Sequence, residues 1–248
     1  MNLFWLALSF LTTIPAKQIP YIPGGLGKSA AFFPIIGLLI GAILIAVIGL
    51  TSIVFPAVFV ALFALLAWVL LTGGLHLDGL ADCCDGLFGA APAEKRLEIL
   101  KDPRTGSFAV IGLIMALGLK AAAIFVILSN ASFQLPWLPF VLAPVLARFL
   151  ILPTALQSQA RPGGMGADFA STISPMIVAI ASILPILLLL TGWEQPIQLL
   201  SGMWLAVITT VVWITLAKSR VGGVTGDVYG AVVETAEISI LIGFTLIF

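Results

Sequence analysis

Long apolar runs make up most of the chain, and the polar residues between them gather in a few short stretches. A bilayer span takes roughly 20 predominantly apolar residues. Runs of that kind fall at about 29–52, 56–75, 107–129, 136–156, 175–192, 197–217 and 228–248. The pattern predicts an all-α, polytopic integral membrane bundle of about seven transmembrane helices. Pro34, Pro56, Pro136, Pro139, Pro175 and Pro196 stand near the predicted helix starts, where a missing N–H costs little. Pro144, Pro153 and Pro185 fall inside spans and predict kinks. The apolar opening stretch, 1–14, is short for a span, and no basic residue precedes it. It predicts an interfacial or re-entrant helix and not a signal peptide. The connections are too short for a second folded unit, so 1–248 reads as a single membrane-embedded domain.

Composition agrees, with 61% hydrophobic and 9% charged residues and a mean hydropathy of +1.21. Eleven basic and eleven acidic residues give no net charge, so nucleic-acid binding has no electrostatic support. Cys83 and Cys84 are adjacent and are the only cysteines, which offers neither a disulfide framework nor a zinc spacing. They read as small packing residues.

The distribution of charge sets an orientation. With the N-terminus in the cytoplasm, Lys17, Lys28, Lys95, Arg96, Lys101, Arg104, Arg161, Lys218 and Arg220 all fall on the cytoplasmic side. The loops near 52–56, 130–135 and 192–196 on the opposite side carry no basic residue. Residues 76–106 are expected as a long cytoplasmic excursion that continues the second span. A multi-pass protein of the cytoplasmic (inner) membrane, with its polar site open to the cytoplasm, follows from this asymmetry.

The chemistry-bearing residues lie on that side. In HLDGLADCCDG, 76–86, the spacing i, i+4, i+7 puts Asp78, Asp82 and Asp85 on one helical stripe. Convergent carboxylates repel unless a cation joins them, and hard oxygen ligands suit Mg²⁺ or Mn²⁺, ions that hold diphosphates. The competing reading is a solvated helix face, against which stand the apolar neighbours Leu77, Leu80, Ala81, Leu87 and Phe88. His76, the only histidine, is a candidate phosphate or ligand contact or the maker of a local hydrogen bond.

Next, LKDPRTGSF brings Lys101, Arg104 and Ser107 to the start of the third span as an anion cradle. Lys120 and Arg148 stand inside apolar runs, where each either pairs with a buried acid or contacts substrate. In ARPGGMGADF, 160–169, the glycines, among them Gly164 and Gly166, let backbone N–H groups approach a phosphate. In KSRVGGVTGDVYGAVVETAE, 218–237, a glycine-led entry with Thr225 and Gly226 opens a helix carrying Asp227, Glu234 and Glu237. Glu237 would be costly unpaired and is expected to meet a metal, Lys120 or an arginine. Two acidic helix ends meeting around one metal-bound diphosphate is the resulting expectation.

Taken together, FWLALSFLTTIP, HLDGLADCCDGLFG, RLEILKDPRTGSF, the spans with Lys120 and Arg148, GMG and GGVTGDVYGAVVETAE resemble the cobalamin synthase (adenosylcobinamide-GDP ribazoletransferase) family over nearly the whole length. The combination of aspartate motif and TGD motif carries the likeness, while CCD and Pro103 depart from the pattern. The resemblance implies joining of adenosylcobinamide-GDP to α-ribazole, or its 5′-phosphate, with release of GMP and with Mg²⁺ as the metal. It further implies Asp78, Asp82 and Asp85 at the metal, with Asp82 and Asp85 counted in the catalytic group. Arg104 then steadies charge on the diphosphate with help from Lys101, and Asp227 acts as base. Glu234 is the second choice for the base or a further metal ligand. His76, Ser107, Lys120, Arg148, Gly164, Gly166, Thr225 and Gly226 complete the expected substrate contacts. The expected partners are these two small molecules and the lipid bilayer; a homo-oligomer stays open.

Related physics serves CDP-alcohol phosphotransferases and aromatic prenyltransferases. The first carry an arginine after their aspartate motif and the second a separate pair of aspartates, neither of which this chain has. A cation-coupled transporter would use Lys120, Glu237 and proline-broken helices, but no inverted repeat is seen and the charges crowd one face.

Overall fold

The computed structural model describes residues 2–17, 20, 23–130, 136–161, 163 and 165–246. A short helix, α1 (Asn2–Leu11), precedes α2 (Gly25–Ser29), which runs through a 3₁₀ turn into α3 (Phe33–Ser52). There follow α4 (Ala57–Thr72), α5 (Leu75–Phe88), α6 (Ala93–Ile99), α7 (Ser107–Ser129) and α8 (Leu138–Ala155). The chain closes with α9 (Met165–Ser171), α10 (Pro175–Thr191), α11 (Pro196–Val221) and α12 (Gly226–Gly243). Proline occupies the first turn of α3, α8, α10 and α11, as the missing-donor rule predicts. At α10 the Ser174 hydroxyl also accepts a hydrogen bond from Ile177 N at 3.4 Å.

Five helices among the described residues are long and apolar enough to cross a membrane, and α4 with α5 makes a sixth if that bent pair counts as one crossing. The expected seven is not reached, for two reasons. The last expected span is α12, whose Asp227, Glu234 and Glu237 set it apart from the apolar crossings. It is the buried central helix, packed against α5, α7, α8 and α11. The second reason is a corner. Where 76–106 was expected to continue the second span, the chain turns 89° between α4 and α5. Gly73 and Gly74 make the turn at φ 62° and 71°, in the left-handed region where a Cβ is strained.

The outward faces of the crossings are apolar: Leu66, Leu70, Ile114, Leu187 and Leu190 are all exposed. Such a surface suits lipid, while the core around α8 and α12 is packed tight. Around α12 the connections before it and after α8 zip together, Val224 N donating to Ser158 O at 2.8 Å and Ala160 N to Val224 O at 2.9 Å. This isolated bridge fixes the entry of α12 beside α5.

Candidate active site

α5 and α12 meet with almost no side chain between them. A Cβ on Gly79 would stand 2.8 Å from the Asp227 carbonyl oxygen, and one on Gly230 would stand 2.9 Å from that of His76. This close approach brings the aspartate stripe of α5 to the first turn of α12. Leu80, Cys83, Cys84 and Leu87 fill the core on the other side of α5. The charges of Asp78, Asp227 and Asp85 all bear on the Asp82 carboxyl.

Three neighbouring cavities share these acids. The first, of about 320 Å³, is lined by Asp78, Asp82, Asp85, Lys101, Asp102 and Arg104, among others. The second, of about 300 Å³, is lined by Lys101, Gln159, Arg161, Gly166, Thr225, Gly226 and Asp227, among others. A third, of about 180 Å³, has His76, Asp78 and Asp227 on one side and apolar walls on the other. Asp78 borders the first and third, and Asp227 the second and third.

Local bonds hold the rims. Asp85 accepts from Gly106 N at 2.6 Å and from Ala109 N at 2.9 Å, so it satisfies free donors at the start of α7. A carboxylate keeps lone pairs beyond two such bonds, so Asp85 can still face a cation. Asp102 binds Arg104 through Nε at 2.9 Å, Nη2 at 2.6 Å and the backbone N–H at 3.0 Å. That hold, led by the guanidinium hydrogen bonds, depresses the Asp102 carboxyl to about 2. Thr225 Oγ1 donates to Asp227 Oδ2 at 3.0 Å. Arg161, whose Nη2 donates to Leu97 O at 2.6 Å, adds its charge beside Asp227.

Several expected site residues are placed elsewhere. Lys120 binds Glu234 at 3.0 Å and also Glu237, and its Nζ stands 4.2 Å from the centre of the Trp68 ring. Arg148 pairs with Glu237, which also accepts from Trp68 Nε1 at 3.2 Å. All four charged groups are buried, and none borders the three cavities. Lys120, Arg148 and Glu234, expected at substrate or metal, are thus engaged with one another and with Glu237 in this arrangement. In apolar surroundings each charge is held by its opposite. Ser107 begins α7 exposed and borders none of the three cavities. Gly164 lies outside the described residues.

Among the described residues no three His, Cys, Asp or Glu side chains stand ready to hold an ion. The donor set nonetheless suits Mg²⁺, which commonly takes one or two protein carboxylates and fills its shell with water and phosphate oxygens. In the sequence Arg161 stands out only as a cytoplasmic-side basic residue at the edge of a glycine loop, and Gln159 does not stand out at all. Nothing local marks either, since it is the zipped loops that carry them to Asp227.

Comparison with known proteins finds relatives over nearly the whole chain. The Cobalamin-5-phosphate synthase family matches residues 3–245. A protein of Pseudomonas fluorescens named adenosylcobinamide-GDP ribazoletransferase is 38% identical over 253 residues, covering 98% of each chain. One of the same name from Pseudomonas entomophila is 37% identical over 253 residues, with 98% of each chain covered. A third, from Geotalea daltonii, is 35% identical over 247 residues, covering 96% of this chain and 94% of its own. No solved structure matches the chain. On a match of this extent, the chain belongs to the Cobalamin-5-phosphate synthase family.

Proposed function

We propose that this chain joins adenosylcobinamide-GDP to α-ribazole, or to its 5′-phosphate, with release of GMP. The observation that carries the reading is the meeting of Asp78, Asp82 and Asp85 with Asp227 across the Gly79–Gly230 contact, beside Lys101, Arg104 and Arg161. Acids alone would repel a diphosphate, and bases alone would bind it without activating a hydroxyl. Their juxtaposition suits transfer.

Asp78 and Asp82, with Asp85 behind them, would hold Mg²⁺, which supplies charge neutralisation on the diphosphate when bound. Lys101, Arg104 and Arg161 grip the phosphate oxygens. Arg104 sits at the rim in an exposed pair with Asp102, and exposed pairs are weak, so incoming phosphate takes its guanidinium readily. Asp227 accepts the proton of the ribose hydroxyl. The ribose oxygen so freed of its proton forms a bond to the phosphorus on the cobinamide side, and the bond from that phosphorus to the bridging oxygen breaks. GMP leaves with that oxygen and its electron pair, opposite the attacking group. Gly166, Thr225 and Gly226 line the wall beside Asp227 and offer backbone and hydroxyl donors. The site faces the cytoplasm from the inner membrane, with the N-terminus on the same side, as the positive-inside distribution favours.

The test is GMP release from adenosylcobinamide-GDP and α-ribazole by the purified chain with and without Mg²⁺. Release that needs the metal and disappears in Asp82→Ala is expected. Near-normal turnover in that variant would remove the metal assignment. Solute flux in sealed vesicles with no product formed would remove the transferase reading.

A further inference from the structure

The third cavity differs in kind from the two beside it. Four aromatic rings run along it from four separate helices. Phe10 stacks on Phe33 with centroids 6.1 Å apart, Phe33 on Phe169 at 5.7 Å, and Phe169 meets Tyr229 at 5.7 Å. Leu26, Leu75 and Ile151 complete the apolar lining. The polar side chains are Asp78, Asp227, Tyr229, whose hydroxyl donates to Gln159 Oε1 at 3.1 Å, and His76, which is buried and whose Nδ1 has no hydrogen-bond partner among the described residues.

We infer that this cavity seats the flat heteroaromatic ring of the riboside substrate, stacked along the aromatic row, with His76 Nδ1 as its hydrogen-bond partner. The inference rests on the transfer reaction proposed above and assigns its two substrates to opposite sides of the shared acids. A benzimidazole-type ring joined to ribose has one free ring nitrogen, an acceptor. Among the described side chains that line the cavity, His76 alone has an unmatched buried polar atom, so one donor stands for one acceptor. Guanine carries donors and acceptors around its edge, and burial here would leave most of them unpaired. A corrinoid is far too large for about 180 Å³. An acyl chain would suit the walls but would leave His76 as it is.

The position also suits the chemistry. Asp78 and Asp227 border both this cavity and the basic ones, so a ring seated here carries its ribose to the acids while the diphosphate stays beside Lys101, Arg104 and Arg161. Neutral His76 serves in the tautomer that bears its proton on Nδ1.

The test uses the full chain in nanodiscs without divalent metal or nucleotide, and follows α-ribazole binding by equilibrium dialysis. Leu75 is 40% exposed, so Leu75→Trp fills the cavity without disturbing the core. Both Leu75→Trp and His76→Leu are expected to weaken binding by about tenfold or more. In turnover, the same variants should raise KM for α-ribazole and leave KM for adenosylcobinamide-GDP near wild type, which a general folding defect would not do. Guanosine should not compete. Equal displacement by guanosine, or α-ribazole retention no greater than in empty nanodiscs, overturns the assignment. GMP release with an unchanged α-ribazole KM in Leu75→Trp removes the cavity assignment but leaves the transfer reaction standing. Cavity-dependent α-ribazole binding without any GMP release does the reverse.

Discussion

Asp85 of α5 lies 2.6 Å from the amide nitrogen of Gly106, which opens α7, and its other oxygen takes the Ala109 N–H. One carboxylate thus ties the acidic helix to the loop that carries Lys101 and Arg104. Asp85→Ala removes both bonds, and losses at helix starts of this kind amount to about 1–2 kcal/mol. Thermal unfolding of the detergent-solubilised protein should fall accordingly. GMP release should fall further than stability does, because Arg104 loses its anchor. Asp85→Asn keeps one acceptor oxygen and should recover part of the stability but little turnover.

Gly79 and Gly230 make the second prediction. Either changed to alanine drives a Cβ to within 3 Å of carbonyl oxygen in the facing helix. Overpacking of this sort costs roughly 1–3 kcal/mol where the backbone can shift. The shift moves Asp227 from the stripe on α5, so kcat should drop by about a hundredfold or more while the protein still folds. Turnover near wild type in Gly79→Ala would show that the distance between these helices does not set the rate.

The buried group of Lys120, Arg148, Glu234 and Glu237 is expected to act on folding and not on substrate. Replacing one member strands its partner, at about 3–5 kcal/mol for a buried pair. Lys120→Met should therefore lower the unfolding temperature sharply, and the double change Lys120→Met with Glu234→Gln should recover part of the loss. The KM values of whatever folds should stay within about threefold of wild type. A large rise in KM without loss of stability would return Lys120 to the substrate.

Asp102 gives a prediction about pH. Its carboxyl is depressed to about 2 by Arg104, so the pair's contribution is complete above the ordinary aspartate range and is lost only as pH falls through about 2. Any pH dependence of GMP release between about 5 and 9 must come from other groups, and Asp102→Asn should leave its shape unchanged. The same substitution frees Arg104, and KM for adenosylcobinamide-GDP should fall modestly, by about twofold to threefold. Arg104→Gln should raise it.

Much of the bundle was legible because a bilayer imposes length and apolarity on each crossing, and prolines mark the helix starts. The aspartate stripe was legible from helical spacing, and so was its meeting with the TGD turn as an expectation. The corner at Gly73–Gly74 was not, since glycines at a span end read equally as a simple exit. Glu234 shows a second limit. Its spacing from Asp227 puts both on one side of α12, but two turns of helix separate a rim from an interior, and there Lys120 claims it. Phe10, Phe33, Phe169 and Tyr229 come from four stretches with no common period, so only folding shows them as a row.

The corner between α4 and α5 governs more than direction. A helix advances 100° per residue, so one residue inserted between Gly74 and Asp78 would swing the carboxylates a quarter-turn or more away from Asp227. The two left-handed glycines thus work as an angular index, locking the rotation of α5 about its own axis as well as its heading. Lengthening or shortening the chain there by a single position would misalign the reactive groups even in a protein that inserts and packs normally.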